Sequence, residues 1–169
     1  MEELILGVHC GHNASVALMT EGRILSAIQE ERLSRIKNHT AYPFLSTESI
    51  LEFSEVTKKQ IRYIGFGNSE FPSRYFLDRF PIRKRIKEGY RILRRDMKFK
   101  LYDLLGKKYL FKERLTGVHK ISAFIENSGQ TLKDVFNQRL FEKRHGYSDV
   151  DVEFVCHHLG HALSAYYFS

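Results

Sequence analysis

The chain has 169 residues, of which 43% are hydrophobic, enough for one globular domain with a buried core. No apolar run approaches the roughly 18 residues of a membrane-spanning helix, and the first 20 positions do not resemble a signal peptide. Two cysteines, Cys10 and Cys156, cannot build a disulfide framework, so we expect a cytoplasmic, reducing location.

The net charge of +7 comes from one segment of the chain. Residues 74–114 hold 15 Lys and Arg against 5 Asp and Glu, whereas the rest carries 12 against 15. Basic residues mixed with aromatic ones can bind nucleic acid or lie on an anionic membrane as an amphipathic helix. The structural alternative is an insertion whose charged face is solvated or packs on another domain.

The first 28 residues predict three strands. Apolar runs cover residues 4–9, 14–19 and 23–28, and turn-forming residues separate them. Because each connection is only a few residues long, neighbouring strands are expected to run antiparallel.

Beyond these strands the pattern predicts alternating helices and strands. The polar stretch 30–39 reads as a functional loop or short helix. Ser46 or Thr47 can cap a helix that carries Ile50, Leu51 and Phe53. An apolar run over 61–67 predicts a fourth strand.

The second half predicts further helices, a fifth strand and a final helix. Apolar spacing over 82–93 indicates one or two amphipathic helices, and another helical stretch follows Lys120. Thr131 can cap a helix that extends to Leu140. Alternation over 151–156 predicts a strand, after which His157 opens the last helix.

Three histidines fall within five positions in the stretch VCHHLGHALSAYY. On a helix, His157 and His161 project side by side and can hold one cation, whereas His158 points about 100° away. No HExxH glutamate is present, which excludes the zinc-protease pattern. The structural alternative is that these histidines cap a helix or pack as neutral side chains.

The turn after the first strand is a second candidate site. Gly11 allows a phosphate to approach the backbone, and Asn13 and Ser15 can donate hydrogen bonds to it. The alternative is a plain hairpin turn. Because this turn and the histidine cluster both follow predicted strands, they can converge on one cleft.

Three motifs occur in order: ILGVHCGHNASVAL, AIQEERLSRIKNH and HHLGHALSAYY. Together they resemble the O-carbamoyltransferase family, which includes the nodulation protein NodU and the cephalosporin and tobramycin carbamoyltransferases. The resemblance covers residues 4–68 and 150–169. It implies an α/β (α+β mixed sheet) fold of the actin-like, sugar-kinase-like, ribonuclease-H-like type, with an additional basic helical insertion.

The resemblance also implies a reaction. Family members make carbamoyl-adenylate from ATP and carbamoyl phosphate in a separate C-terminal domain. The N-terminal domain then transfers the carbamoyl group to a hydroxyl of a small-molecule or sugar acceptor. Carbamoyl-adenylate and the acceptor are thus the implied partners, and nucleic acid is not expected to be one. A nucleic-acid- or anionic-surface-binding module using residues 74–114 is the alternative function.

Carried onto this sequence, the resemblance assigns roles to individual residues. His157 and His161 would hold a divalent metal, most often iron in the family, and His158 would serve the site without binding the ion. His12 would act as general base or position the acceptor, and Lys37 would line the cleft together with its neighbour in the same motif, His39. The cofactor-binding residues would be Gly11, Asn13 and Ser15.

The implied organisation divides residues 1–169 into three parts: 1–69 (strands, helix, strand), 70–149 (basic helical insertion) and 150–169 (strand and metal-motif helix). The adenylate-forming domain would be absent, so we expect a truncated portion that is inactive alone and can self-associate through an exposed interface. Cys10 stands where many relatives carry an aspartate, and a neutral thiol is no substitute for that carboxylate.

Overall fold

The computed structural model describes residues 3–67, 70–79, 82–104, 115–117 and 131–155. Its centre is a five-stranded mixed sheet flanked by helices. The predicted α/β class with a mixed sheet is therefore confirmed.

The first three strands are antiparallel, as predicted. They are β1 (Leu4–His9), β2 (Ser15–Thr20) and β3 (Arg23–Gln29). Glu21 and Gly22, both at positive φ, close the β2–β3 turn. Glycine adopts this backbone conformation without steric cost, which keeps the connection to two residues.

Two further strands extend the sheet in parallel to β1. These are β4 (Ile61–Phe66) and β7 (Asp151–Phe154), and they confirm the predicted fourth and fifth strands. Because β1, β4 and β7 point the same way, their carboxyl ends share one edge of the sheet.

Two helices connect β3 to β4. Helix α1 spans Glu30–Ser34, and α2 spans Phe44–Phe53. The prediction that Ser46 or Thr47 caps α2 was wrong, because the helix begins at Phe44 and both residues lie inside it. Its cap comes instead from the buried Glu30, whose carboxylate accepts the backbone N–H of Leu45 at 3.0 Å and that of Ser46 at 2.8 Å.

Within the described part of the basic segment, one long helix, α3 (Ile82–Leu104), covers the stretch whose apolar spacing predicted one or two helices. Before it lie β5 (Glu70–Pro72) and a 3-10 helix over Ser73–Arg79. After it, β6 (Leu115–Gly117) pairs antiparallel with β5, a small sheet that was not predicted. The helix predicted from Lys120 lies outside the described residues.

The helix predicted from Thr131 to Leu140 is in fact two helices. Thr131 caps α4 (Leu132–Val135), and its hydroxyl accepts the N–H of Asp134. The chain then leaves the helical conformation at Phe136, and Asn137 caps α5 (Gln138–His145) through the N–H of Leu140. None of the described helices is long and apolar enough to cross a membrane.

One continuous hydrophobic core joins the sheet to residues on both sides of α3. Buried side chains of β1, β2, β4 and β7 pack with aromatic rings that come from the predicted insertion 70–149. The participating insertion residues are Phe71, Tyr75, Phe76, Phe136, Phe141 and Tyr147. These flanking parts of the insertion are thus integral to the core.

A buried polar cluster lies within this aromatic core. The Tyr75 hydroxyl is 2.6 Å from His145 Nε2, and the hydroxyls of Tyr42 and Tyr147 are 2.8 Å apart. The His145 ring also stacks on Tyr42 at a centroid distance of 3.9 Å. Burial, together with the nearby cations Arg144, Lys58 and Arg74, lowers the pKa of His145 to about 3.

Candidate functional site

The candidate site lies at the carboxyl edge of β1, β4 and β7. Backbone hydrogen bonds join these ends beyond the regular ladder: Gly67 N–H donates to Val8 O at 3.1 Å, and Val155 N–H donates to Phe66 O at 2.8 Å. The turn containing Gly11 therefore leaves the sheet one strand from Gly67 and two strands from Val155.

His9, which was not among the predicted site residues, lies between two of these strand ends. Its Nδ1 lies 3.3 Å from the carbonyl oxygen of Gly67, and its Nε2 lies 3.2 Å from that of His12. The ring therefore bridges the end of β4 and the turn after β1. We assign His9 a positioning role.

His12 is exposed at the tip of the turn, where a solvent-borne substrate can reach it. The neighbouring Asn13 is in the left-handed region (φ 62°), and its amide Nδ2 lies 3.3 Å from His12 Nδ1. Of the predicted site residues that the structure describes, His12 and Lys37 are the exposed ones.

Gly11 and Ser15 fit the turn in different ways. Gly11 is buried against His9, and a Cβ at this position would come within 2.9 Å of His9 Nε2. Ser15 is the first residue of β2, half-buried, and pairs with His9 and Gln29 across the sheet. The glycine is therefore required for space beside the His9 ring.

Replacing Gly11 with alanine is expected to displace the His9 ring and to lower the free energy of unfolding by about 1 kcal/mol, because the ring loses its hydrogen bond to a backbone carbonyl. A double-mutant cycle with His9→Ala isolates the clash, since the alanine meets no ring in that background. Urea denaturation of the four proteins measures the coupling. If Gly11→Ala lowered the free energy of unfolding equally in the wild type and in His9→Ala, the steric explanation would be contradicted.

The loop over residues 35–39 is attached to the same turn by its backbone. The carbonyl of His39 accepts the N–H of Ala14 at 3.0 Å. The His39 side chain is only 3% exposed, and its Nδ1 lies 2.9 Å from Ser34 Oγ. A ring so enclosed is suited to positioning the loop. Lys37, by contrast, is exposed and can reach an anionic group.

Cys10 is fully buried directly after β1 and belongs to the hydrophobic core. Its thiol therefore points away from the exposed surface that carries His12. The side chain at this position packs the sheet rather than presenting a charge to the cleft.

The predicted metal ligands His157 and His161, together with His158, lie outside the described residues. Within the ranges that the structure describes, no group of three or more His, Cys, Asp or Glu side chains could hold a metal ion. The described residues nevertheless reach Val155, two positions before His157, at the edge that also carries His12.

Comparison with known proteins identifies the class. Residues 4–169 match the family described as carbamoyltransferase N-terminus. Since the match spans nearly the whole chain, the chain belongs to this family. The resemblance inferred from the three sequence motifs is thus confirmed, and it extends through the basic segment.

A curated relative is the uncharacterized protein MJ1051 of Methanocaldococcus jannaschii. The two are 41% identical over 64 residues, which cover 38% of this chain and 12% of the relative. The alignment thus spans only a small part of the relative's length.

Proposed function

We propose that this chain forms the acceptor side of a carbamoyltransferase that moves a carbamoyl group from carbamoyl-adenylate to a hydroxyl of a small-molecule or sugar acceptor. Family membership over residues 4–169 is the observation that carries the proposal. The carbamoyl-adenylate would be formed from ATP and carbamoyl phosphate in a separate domain of the whole protein.

The strand arrangement supports the finer fold assignment. Three antiparallel strands followed by two parallel ones, in the order β3-β2-β1-β4-β7, are compatible with an actin-like, ribonuclease-H-like subdomain. In sheets of this kind, ligands bind beyond the carboxyl ends of the parallel strands. His12 and Val155 both lie at this edge.

The proposed transfer forms one bond to the carbamoyl carbon and breaks another. The acceptor oxygen attacks the carbamoyl carbon, the bond from that carbon to the phosphate oxygen breaks, and AMP leaves while the hydroxyl proton passes to a base. His12 is exposed at the edge where this hydroxyl would lie, which supports its assignment as that base or as the group that positions the acceptor.

The orientation of the Asn13 amide determines whether Nε2 of His12 donates or accepts a hydrogen bond. With Asn13 Nδ2 donating to Nδ1, neutral His12 carries its proton on Nε2 and donates a hydrogen bond to a substrate oxygen. Rotating the amide by 180° places Oδ1 against an Nδ1–H group and frees Nε2 to accept the hydroxyl proton. Asn13 thereby serves both roles proposed for His12.

The remaining described residues provide binding and positioning. Lys37, exposed in the loop joined to Ala14, is proposed to attract the anionic phosphate of the adenylate. Gly11 gives room for His9, and we propose that Asn13 and Ser15 contribute polar contacts to the donor. His39 holds the loop against the turn and so positions Lys37.

His157 and His161 are proposed to bind a divalent transition metal, iron by family resemblance, with His158 serving the site without binding it. Two imidazoles four residues apart suit such an ion in their donor chemistry. When bound, the ion would supply positive charge for the phosphate of the adenylate.

Elemental analysis of the purified chain tests the metal proposal. We expect close to one divalent ion per chain, loss of that ion in His157→Ala/His161→Ala, and its retention in the matched control His158→Ala. Absence of metal from the wild-type chain, or metal retained in the double variant, would contradict the ligand assignment.

Activity is tested separately in the whole protein, supplied with ATP, carbamoyl phosphate and a panel of hydroxyl acceptors. Mass spectrometry should detect a carbamate ester, and His12→Ala should lower its rate of formation by roughly 100-fold. A variant rate equal to that of the wild type would exclude His12 from the reaction.

A further inference from the structure

Helix α3 exposes its apolar stripe to solvent. The stripe is formed by five large side chains, each between 60% and 74% exposed: Ile82, Ile86, Tyr90, Leu93 and Met97. At 100° per residue these positions fall within about 80° of the helix circumference, and they extend about 22 Å along it. A stripe of this size on a basic helix is a docking surface rather than scattered surface hydrophobicity.

The charges of α3 are separated around the helix. The helix contains nine Lys and Arg but only three Asp and Glu. Glu88 is buried and lies 3.2 Å from Arg91, and Asp96 accepts both guanidinium nitrogens of the buried Arg74 at 3.2 and 3.3 Å. These two acids are therefore turned toward the domain and neutralised within it.

Basic side chains border the stripe on its solvent side. Arg83, Lys87 and Arg94 are exposed and lie between about 20° and 60° beyond the edge of the stripe. The exposed surface of α3 thus combines large apolar groups with adjacent cations. This combination is typical of helices that lie in the headgroup layer of a membrane, with apolar groups inserted and cations at the phosphates.

We propose that α3 docks the domain on an anionic lipid bilayer, parallel to its surface. Charge complementarity and the chemistry of the stripe favour this occupant over a second copy of the chain and over nucleic acid. Two copies of the helix would bring together two strongly basic faces. Nucleic acid would match the cations, but four of the five stripe residues are aliphatic and offer no ring for base stacking. The proposal is independent of the carbamoyl-transfer chemistry.

Vesicle binding tests the proposal directly. Co-sedimentation with phosphatidylcholine vesicles containing about one third phosphatidylserine should capture the chain, and pure phosphatidylcholine vesicles should not. Raising the salt concentration should weaken capture. The chain contains no tryptophan, so Leu93→Trp introduces a single fluorophore whose emission should shift to the blue on anionic vesicles.

Matched charge-reversal variants distinguish binding through α3 from binding through the net charge of the whole chain. Arg83→Glu/Lys87→Glu/Arg94→Glu should lower vesicle affinity at least tenfold. The control Lys59→Glu/Arg62→Glu/Arg139→Glu makes the same charge change at exposed positions outside α3 and should lower it less than threefold. Leu93→Asp should abolish the capture, and circular dichroism confirms that each variant is folded.

Several results would overturn the proposal. These are no capture by anionic vesicles, equal losses in the two charge-reversal variants, or no blue shift at position 93. Capture of an oligonucleotide at an affinity above that for vesicles would assign the face to nucleic acid. A lipid-independent dimer that Leu93→Asp dissociates would assign it to self-association.

Discussion

Replacing His145 with phenylalanine in a Tyr75→Phe background is expected to flatten the pH dependence of stability between pH 6.5 and pH 3. In the wild type, the pKa of His145 is near 3 when folded and near 6.5 when unfolded, so in this window the unfolded chain binds one more proton. The stability that the neutral His145 ring confers is fully present above pH 6.5 and is lost as the pH falls toward 3. The loss approaches about 1.4 kcal/mol per pH unit.

The double replacement removes both partners of a buried contact. The Tyr75 hydroxyl and His145 Nε2 are 2.6 Å apart, so changing only the histidine would leave the hydroxyl without that partner in the core. Nδ1 of His145 is already buried with no hydrogen-bond partner among the residues that the structure describes, so an apolar ring there removes an uncompensated polar atom.

Chemical denaturation at a series of pH values measures the effect. The difference between wild type and variant should change by several kcal/mol from neutral to acidic pH. Parallel profiles for wild type and the double variant would contradict the assignment of this acid sensitivity to His145.

Replacing Glu30 with alanine is expected to lower the free energy of unfolding by on the order of 3 kcal/mol. Its carboxylate is the partner of two backbone N–H groups in the first turn of α2, and the side chain is only 2% exposed. Without it, both donors are left in a buried helix terminus that water does not readily reach. Glu30→Gln keeps one acceptor oxygen and should lose about half as much.

Glu31→Ala provides the matched control for Glu30. The Glu31 carboxylate accepts one N–H, that of Asn38, at 3.0 Å in an exposed setting, so its loss should cost under about 1 kcal/mol. Hydrogen exchange gives a local readout, because the amides of Leu45 and Ser46 should exchange faster only in the Glu30 variants. Equal destabilisation by the two alanine variants would contradict the capping role.

The effect should also reach the candidate site. Glu30 donates its own N–H to the carbonyl of Ala14, and Ala14 donates to the carbonyl of His39. Glu30→Ala is therefore also expected to weaken the attachment of the 35–39 loop to the turn that carries His12. Within the motif AIQEERLSRIKNH, the first glutamate thus acts as a structural link.

The sequence predicted the elements whose signals are local. Strands β1 to β3 follow from apolar runs and turn residues, and α3 follows from apolar residues at helical spacing. The break between α4 and α5 also had a local signal, since Asn137 is a good N-cap residue three positions before Leu140. Apolar residues occur on both sides of Phe136, however, so the pattern predicted one continuous helix.

Features that depend on distant residues were not predictable in this way. Capping rules consider neighbouring positions, whereas the partner of the α2 terminus lies 15 residues before Leu45. His9 reads as part of an apolar strand, and its bridging role depends on Gly67, which is 58 residues away. The position of β4 beside β1, and that of β7 beside β4, likewise depend on long crossover connections.

The sheet also determines how far apart the two halves of the proposed site can be. β1 and β7 are separated by β4 alone, so their carboxyl ends lie about 10 Å apart. Backbone pairing sets this separation, independently of how many residues connect β4 to β7. The exposed part of that connection can therefore lengthen, shorten or acquire new binding surfaces among relatives while this separation is preserved.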